Sequence, residues 1–122
     1  MHNGSRLVAV VDDDDAVRDS LQFLLETAGF SVASYHSAAQ FLNEAKPGDL
    51  ACLVVDQHMP DVTGLQLVSR LRNLGITLPV ALITGSPSPD LTRLAHELGI
   101  AKVLEKPLDD NVLFDFITDA RR

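Results

Sequence analysis

The sequence predicts an α/β fold: a parallel sheet of five strands with helices on both faces. Three observations carry that prediction. Apolar runs of strand length alternate five times with segments of helical period along the 122 residues. Two of the runs, residues 7–11 (LVAVV) and 50–55 (LACLVV), are continuously apolar rather than alternating, as strands covered on both sides require. Both stop abruptly at an aspartate, Asp12 and Asp56.

The elements follow in order. After the first strand, residues 15–28 place Val17, Leu21, Leu24, Leu25 and Ala28 on one helix face, and Gly29 stops the helix. Residues 31–35 read as a second, less apolar strand. Ser37 is placed to cap a helix carrying Ala38, Phe41, Leu42 and Ala45, which Pro47-Gly48 closes. Beyond the third strand, a loop with Pro60 and Gly64 leads to a helix with Leu65, Leu67, Val68 and Leu71, ended by Gly75. Residues 78–83 form the fourth strand. Pro87-Ser88-Pro89-Asp90 is turn chemistry that supplies a cap for a short helix to Leu98, and Gly99 stops it. Residues 100–104 form the fifth strand. Asp109 or Asp110 caps a last helix whose face is Val112, Leu113, Phe116 and Ile117. Right-handed crossovers turn this pattern into a doubly wound open sheet, a (βα)5 unit.

Such sheets bind ligands outside the carboxyl ends of their strands. Strand one ends at Asp12 and Asp13, strand three at Asp56, strand four at Thr84 and strand five at Lys106. Parallel strands bring these ends to one edge, which then holds three carboxylates, a hydroxyl and an ammonium. Clustered carboxylates repel, and a hard divalent cation relieves them. Metal, cation, hydroxyl donor and carboxylate nucleophile together have the makings of a phosphoryl-transfer site.

The acids are lopsided: 13 Asp against 4 Glu, in a chain of net charge −7. Asp is a poor helix former and a good cap and cation ligand, so the run Asp12-Asp13-Asp14-Asp15 divides into a functional pair and a helix start. With three lysines in all, the balance argues against direct nucleic-acid binding. No apolar run approaches the roughly 18 residues of a membrane span. The lone Cys52, inside an apolar run, excludes a disulfide framework and fits a cytoplasmic protein. Residues 1–6 read as a flexible lead-in to a single domain covering residues 1–122.

From Leu7 to Ala120 the chain resembles the receiver domain of bacterial two-component response regulators. The resemblance is nearest to the receivers of nitrogen-fixation regulators. It rests on Val10-Val11-Asp12-Asp13, on Asp56-Gln57-His58-Met59-Pro60 with Gly64, on Thr84-Gly85 and on Lys106-Pro107. It implies a flavodoxin-like sheet of order 2-1-3-4-5 and a cytoplasmic phosphoacceptor, not an enzyme acting on outside substrates. Asp56 would take a phosphoryl group from a sensor histidine kinase or phosphotransfer protein. Mg²⁺ (or Mn²⁺) would be held by Asp13 directly, by Asp12 through water, by Asp56 and by the backbone carbonyl of His58. Thr84 and Lys106 would bond the phosphoryl oxygens, and the side chains of His58 and Ser86 would tune its loss. The Lys106-Pro107 bond is expected to be cis. Output, and a phosphorylation-promoted homodimer, would use the face of helix four, strand five and helix five, including Arg93, Glu97 and Lys102. One position departs from the family: Val103 stands where relatives carry Phe or Tyr, so signalling is expected to run through residues 85–89 and the fourth helix. No effector segment follows residue 122, so the chain reads as a stand-alone receiver or a piece of a longer protein.

Two other readings stay open. Val103 suits a receiver-like module that binds proteins without phosphorylation. Asp13-Asp14-Asp15-Ala16-Val17 loosely fits the D-x-D-x-[TV] nucleophile motif of dehalogenase-like phosphatases, though Asp109-Asp110 is the only late acidic pair to complete it.

Overall fold

The computed structural model describes residues 6–121. The expected lead-in therefore falls, but for Arg6, outside the described residues. Five parallel strands, β1 (Leu7–Val11), β2 (Val32–Tyr35), β3 (Leu50–Asp56), β4 (Val80–Thr84) and β5 (Lys102–Glu105), stand in the order β2-β1-β3-β4-β5. Between and after them run α1 (Asp15–Thr27), α2 (Ala38–Glu44), α3 (Gly64–Asn73), α4 (Pro89–Glu97) and α5 (Asp110–Ala120). The chain winds outward from β1 to β2, then crosses back to β3 on the other side of β1. The switch point thus lies between the carboxyl ends of β1 and β3.

The two faces of the sheet are buried by different helices. Phe41 of α2, Leu67, Val68 and Leu71 of α3, and Leu91 and Ala95 of α4 pack with Ala9, Val11, Leu53, Val55 and Leu82. On the opposite face, Leu21 and Leu25 of α1 and Leu113, Phe116 and Ile117 of α5 pack with Val8, Val10, Cys52, Val54 and Ile83. Each fully buried aliphatic side chain contributes about 1.5–3 kcal/mol. Alternating residues of one strand feed opposite cores, which is why β1 and β3 carry no polar residue before their terminal acids.

The helix starts are fixed by side-chain oxygens that accept otherwise unpaired N–H groups. Asp14 accepts from Val17, Ser37 from Gln40, Ser88 from Leu91 and Asp109 from Val112. Ser88, not Asp90, therefore caps α4, and Asp109 rather than Asp110 caps α5. Thr63 and Gln66 form a capping box at α3.

Several boundaries differ from expectation. β4 begins at Val80, not at residue 78, because Pro79 has no N–H for a ladder on both sides. Its carbonyl still accepts from Leu53 at 2.9 Å. β5 begins at Lys102, not at residue 100, because the Ile100 N–H is spent on the turn that closes α4. Gly99, at φ +70°, turns the chain so that its own N–H reaches His96 O and the Ile100 N–H reaches Ala95 O. α1 and α3 end in the same way at Gly29 and Gly75. A short 3₁₀ turn, Pro47–Asp49, was not foreseen. Val17 and Val112 were assigned to buried faces but are exposed, Val17 at 41 %. Both sit in the first turn of their helices, beyond the cover of the opposing core. Among the described residues, no helix is long and apolar enough to cross a membrane.

Candidate functional site

Asp12 follows β1 directly, and Asp56 is the last residue of β3. Because β1 and β3 run in register, with Val11 beside Val55, their terminal acids meet at the switch point. Asp12 is 6 % and Asp56 4 % exposed, whereas Asp13 faces solvent. One carboxylate oxygen from each of Asp12, Asp13 and Asp56 lies within 4.8 Å of the other two.

Burial pushes the Asp12 carboxyl above its ordinary pKa; the Asp14 N–H that it accepts and the Lys106 charge oppose this, while Asp56 and Asp13 add to it. The one ammonium in the cluster is Lys106, whose Nζ lies 2.8 Å from Asp56 Oδ1. Its close polar contact with Asp56 raises the Lys106 pKa against the effect of burial, and the charges of Asp56, Asp12 and Asp13 reinforce the rise. The ammonium approaches off the ideal hydrogen-bonding direction, so the buried Oδ1 is left without a well-directed donor among the described residues. Three carboxylates under mutual repulsion, one of them with a poorly satisfied oxygen, suit a hard divalent cation, so the cluster could hold a metal ion.

Thr84 ends β4 and is fully buried. Its Oγ1 accepts from the Ser86 N–H at 3.0 Å and lies 3.2 Å from His58 Nε2. The expected residues Asp12, Asp13, Asp56, His58, Thr84, Ser86 and Lys106 therefore gather at one edge; Ser86 reaches Thr84 through its backbone. The Lys106-Pro107 bond is cis, as expected. Val103 is half-buried on β5, beside Leu82 of β4, and reaches no site atom by hydrogen bond. His36 and His96 are exposed and stand outside the cluster.

Three positioning groups were missed or only half seen. Arg18, on α1, donates from Nη1 to the Asp12 carbonyl at 2.8 Å and pairs through Nη2 with Asp15. Six residues separate it from Asp12, and no local spacing rule announces the bond. Asp15 is thereby turned to solvent, so the second acid of the phosphatase motif stays outside the cluster. Gln57 Oε1 accepts from the Leu65 N–H, tying the end of β3 to the start of α3. Gly64 packs so closely that a Cβ there would lie 2.5 Å from Leu82 Cδ1 and 2.8 Å from the Asp56 carbonyl oxygen. Close packing, not a positive φ, is what calls for glycine at position 64.

The fold, with acids at its switch point and a lysine and hydroxyl on the flanking strand ends, is that of a signalling receiver. The family model for the response regulator receiver domain matches residues 8–118, and the chain belongs to that family. It is 47 % identical over 103 residues to the transcriptional regulatory protein FixJ of Azorhizobium caulinodans, covering 84 % of this chain and 49 % of that protein. It is 40 % identical over 116 residues to FixJ of Bradyrhizobium diazoefficiens, covering 94 % and 56 %. The chain spans about half the length of these relatives. Among solved structures it is similar to FixJ-N, at TM-score 0.85 and 36 % identity over 99 % of this chain and 95 % of that one. It is also similar to the response regulator StyR, at TM-score 0.88 and 34 % identity over 95 % and 59 %.

Proposed function

We propose that this receiver is switched by phosphorylation of Asp56. The observation that carries the reading is a buried carboxylate held between two other carboxylates and an ammonium at 2.8 Å. A structural ion pair has no need of two further acids at its side. As a nucleophile, Asp56 has the opposing charge that its product needs.

An Asp56 carboxylate oxygen attacks phosphorus of a phosphohistidine on a sensor histidine kinase or phosphotransfer protein. The O–P bond forms as the N–P bond breaks, and the imidazole leaves with the electron pair and takes up a proton. Lys106 pairs with one phosphoryl oxygen, and the Thr84 hydroxyl donates to another. Mg²⁺ or Mn²⁺, when bound, supplies positive charge that offsets the charge gathering on the phosphoryl oxygens. Asp13 would hold it directly, Asp12 through water, with Asp56 and the His58 carbonyl completing the protein's share. The side chains of His58 and Ser86 flank the group and govern its slow hydrolysis, the only other reaction assigned to the chain.

An apolar groove of about 460 Å³ opens beside the site between α1 and the segment after β5, lined by Ala16, Val17, Ser20, Leu24, Pro107 and Leu108. It suits a helix of the donor protein, and it gives the exposed Val17 a use. Phosphorylation adds about −1.5 to −2 charge at Asp56, of which metal and Lys106 offset much. Output then runs through residues 85–89 and α4, because Val103 offers no aromatic ring to swing, and the α4-β5-α5 face pairs two copies. On that face Arg93 bridges Asp90 and Glu97 at 3.7 and 3.2 Å. A cytoplasmic place and no direct contact with nucleic acid belong to the same reading, as does one domain spanning residues 1–122.

The test is incubation with Mg²⁺ and acetyl phosphate followed by intact-mass measurement. One phosphoryl adduct, lost in Asp56→Asn and on chelation of the metal, is the expected result. No adduct, with partner binding retained, would leave a phosphorylation-independent module.

A further inference from the structure

The hydroxyl that this reading assigns to the phosphoryl group is already engaged. Thr84 is 0 % exposed, so bulk solvent does not reach its Oγ1. The Ser86 N–H, at 3.0 Å, occupies one lone pair of that oxygen. The hydroxyl proton still needs an acceptor, since a buried donor left unpaired is costly. Among the described residues, His58 Nε2 at 3.2 Å is the group in reach, and it accepts the proton when the ring carries its own hydrogen on Nδ1.

We propose that His58 is a positioning residue that latches the Thr84 hydroxyl in the unphosphorylated protein and must release it before the hydroxyl can bond a phosphoryl oxygen. The proposal rests on Asp56 being the phosphoacceptor. It concerns the side chain of His58, not the carbonyl expected to face the metal.

The surrounding backbone supports a latch on a rotor rather than on a sliding strand. The Gln57 N–H donates to Ile83 O at 2.8 Å, and the Lys106 N–H donates to Thr84 O at 2.9 Å. β4 is thereby held by both neighbours up to Thr84 itself. What remains free to change is the Thr84 side-chain torsion and the loop after it. His58 lies two residues beyond the end of β3, so its bond ties the β3–α3 loop to the β4–α4 loop across the mouth of the site. Val103, short and half-buried, provides no ring from β5 to sense the same rotation. In this chain the side chain coupled to Thr84 comes from the β3 side.

The latch competes with the phosphoryl group for one hydroxyl, so its removal must favour the phosphorylated arrangement. The test uses beryllofluoride as the phosphoryl mimic at saturating Mg²⁺ and one pH, read from the Thr84 amide and methyl resonances. The Mg²⁺ midpoint of each variant is measured separately. His58→Ala is expected to reach half-saturation at roughly three- to ten-fold lower beryllofluoride, the scale of one hydrogen bond. His58→Gln carries an acceptor oxygen the same number of bonds from Cα and is expected to restore the wild-type midpoint. In a Thr84→Val background, His58→Ala is expected to shift nothing. Equal midpoints in wild type and His58→Ala overturn the latch, and so does a shift that persists without the Thr84 hydroxyl. A wild type that shows no saturable response, like Asp56→Asn, removes the phosphoacceptor reading and the latch together. A normal wild-type response with an unmoved His58→Ala midpoint removes the latch alone.

Discussion

Lys106 Nζ and Asp56 Oδ1, 2.8 Å apart, join the ends of two strands that do not touch: β3 and β5 have β4 between them. The ion pair therefore bridges over Thr84, the last residue of β4. Its charges hold the Lys106 pKa above the ordinary lysine value. A lysine with a raised folded-state pKa stabilises the fold fully below its unfolded value near 10.5, and that contribution is lost as pH rises through the folded value. Lys106→Met is accordingly expected to be less stable than wild type in urea at neutral pH in metal-free buffer. The gap is expected to narrow above pH 10.5. A constant gap up to pH 12 would locate the loss in packing instead.

Asp12 has the opposite linkage. Its raised pKa means that the folded, metal-free protein binds its proton more tightly than the unfolded chain does. Stability from this group is present below the unfolded value of 3.8 and declines as pH rises through the folded one. At pH 7 Asp12→Asn is expected to stabilise the metal-free protein, since the amide oxygen can still accept from the Asp14 N–H. The same variant is expected to lose most of the rise in melting temperature that 10 mM Mg²⁺ gives wild type. Calorimetry with and without chelator reads both effects.

Gly64→Ala places a methyl group against the Asp56 carbonyl and the Leu82 side chain. Leu82 can rotate aside, but the backbone oxygen at 2.8 Å cannot. A loss of about 1–3 kcal/mol in urea unfolding is expected. Phosphorylation by acetyl phosphate is expected to slow as well, because the end of β3 is what shifts.

Arg72, on α3, holds the far end of α4. Its Nε donates to Leu98 O and its Nη1 to Ile76 O, both at 2.8 Å, and Nη2 reaches Gly99 O at 3.4 Å. Arg72→Met keeps the apolar stem and drops the donors, at an expected cost of about 1–3 kcal/mol. Arg72→Lys is expected to recover less than half, since an ammonium lacks the planar fork that serves separate carbonyls. Hydrogen exchange in residues 95–100 is expected to quicken in both variants.

Much of the molecule is legible in the chain because its signals are local. The continuous apolar runs of β1 and β3 set their burial on both faces, and the acids that end them mark the switch point. Asp14, Ser37 and the positive-φ glycines after α1, α3 and α4 announce the helix limits through bonds that span three to five residues. The missing N–H of Pro79 already argues in the sequence against a central strand that starts at residue 78. The capping box of Thr63 and Gln66 was likewise visible in the spacing.

What the chain alone determined was which residues would arrive at the sheet's carboxyl edge: Asp12, Asp13, Asp56, Thr84 and Lys106, each at a strand end. Strand register then delivers them without further instruction, because parallel neighbours share one edge. The tertiary structure alone decided how those groups engage one another. Lys106 reaches across β4 to Asp56, Arg18 folds back onto the Asp12 carbonyl, and His58 meets Thr84 across 26 residues of sequence. Such contacts depend on side-chain torsions and on the height of each loop above the sheet. Packing around the whole edge sets these, and no periodicity in the sequence records them.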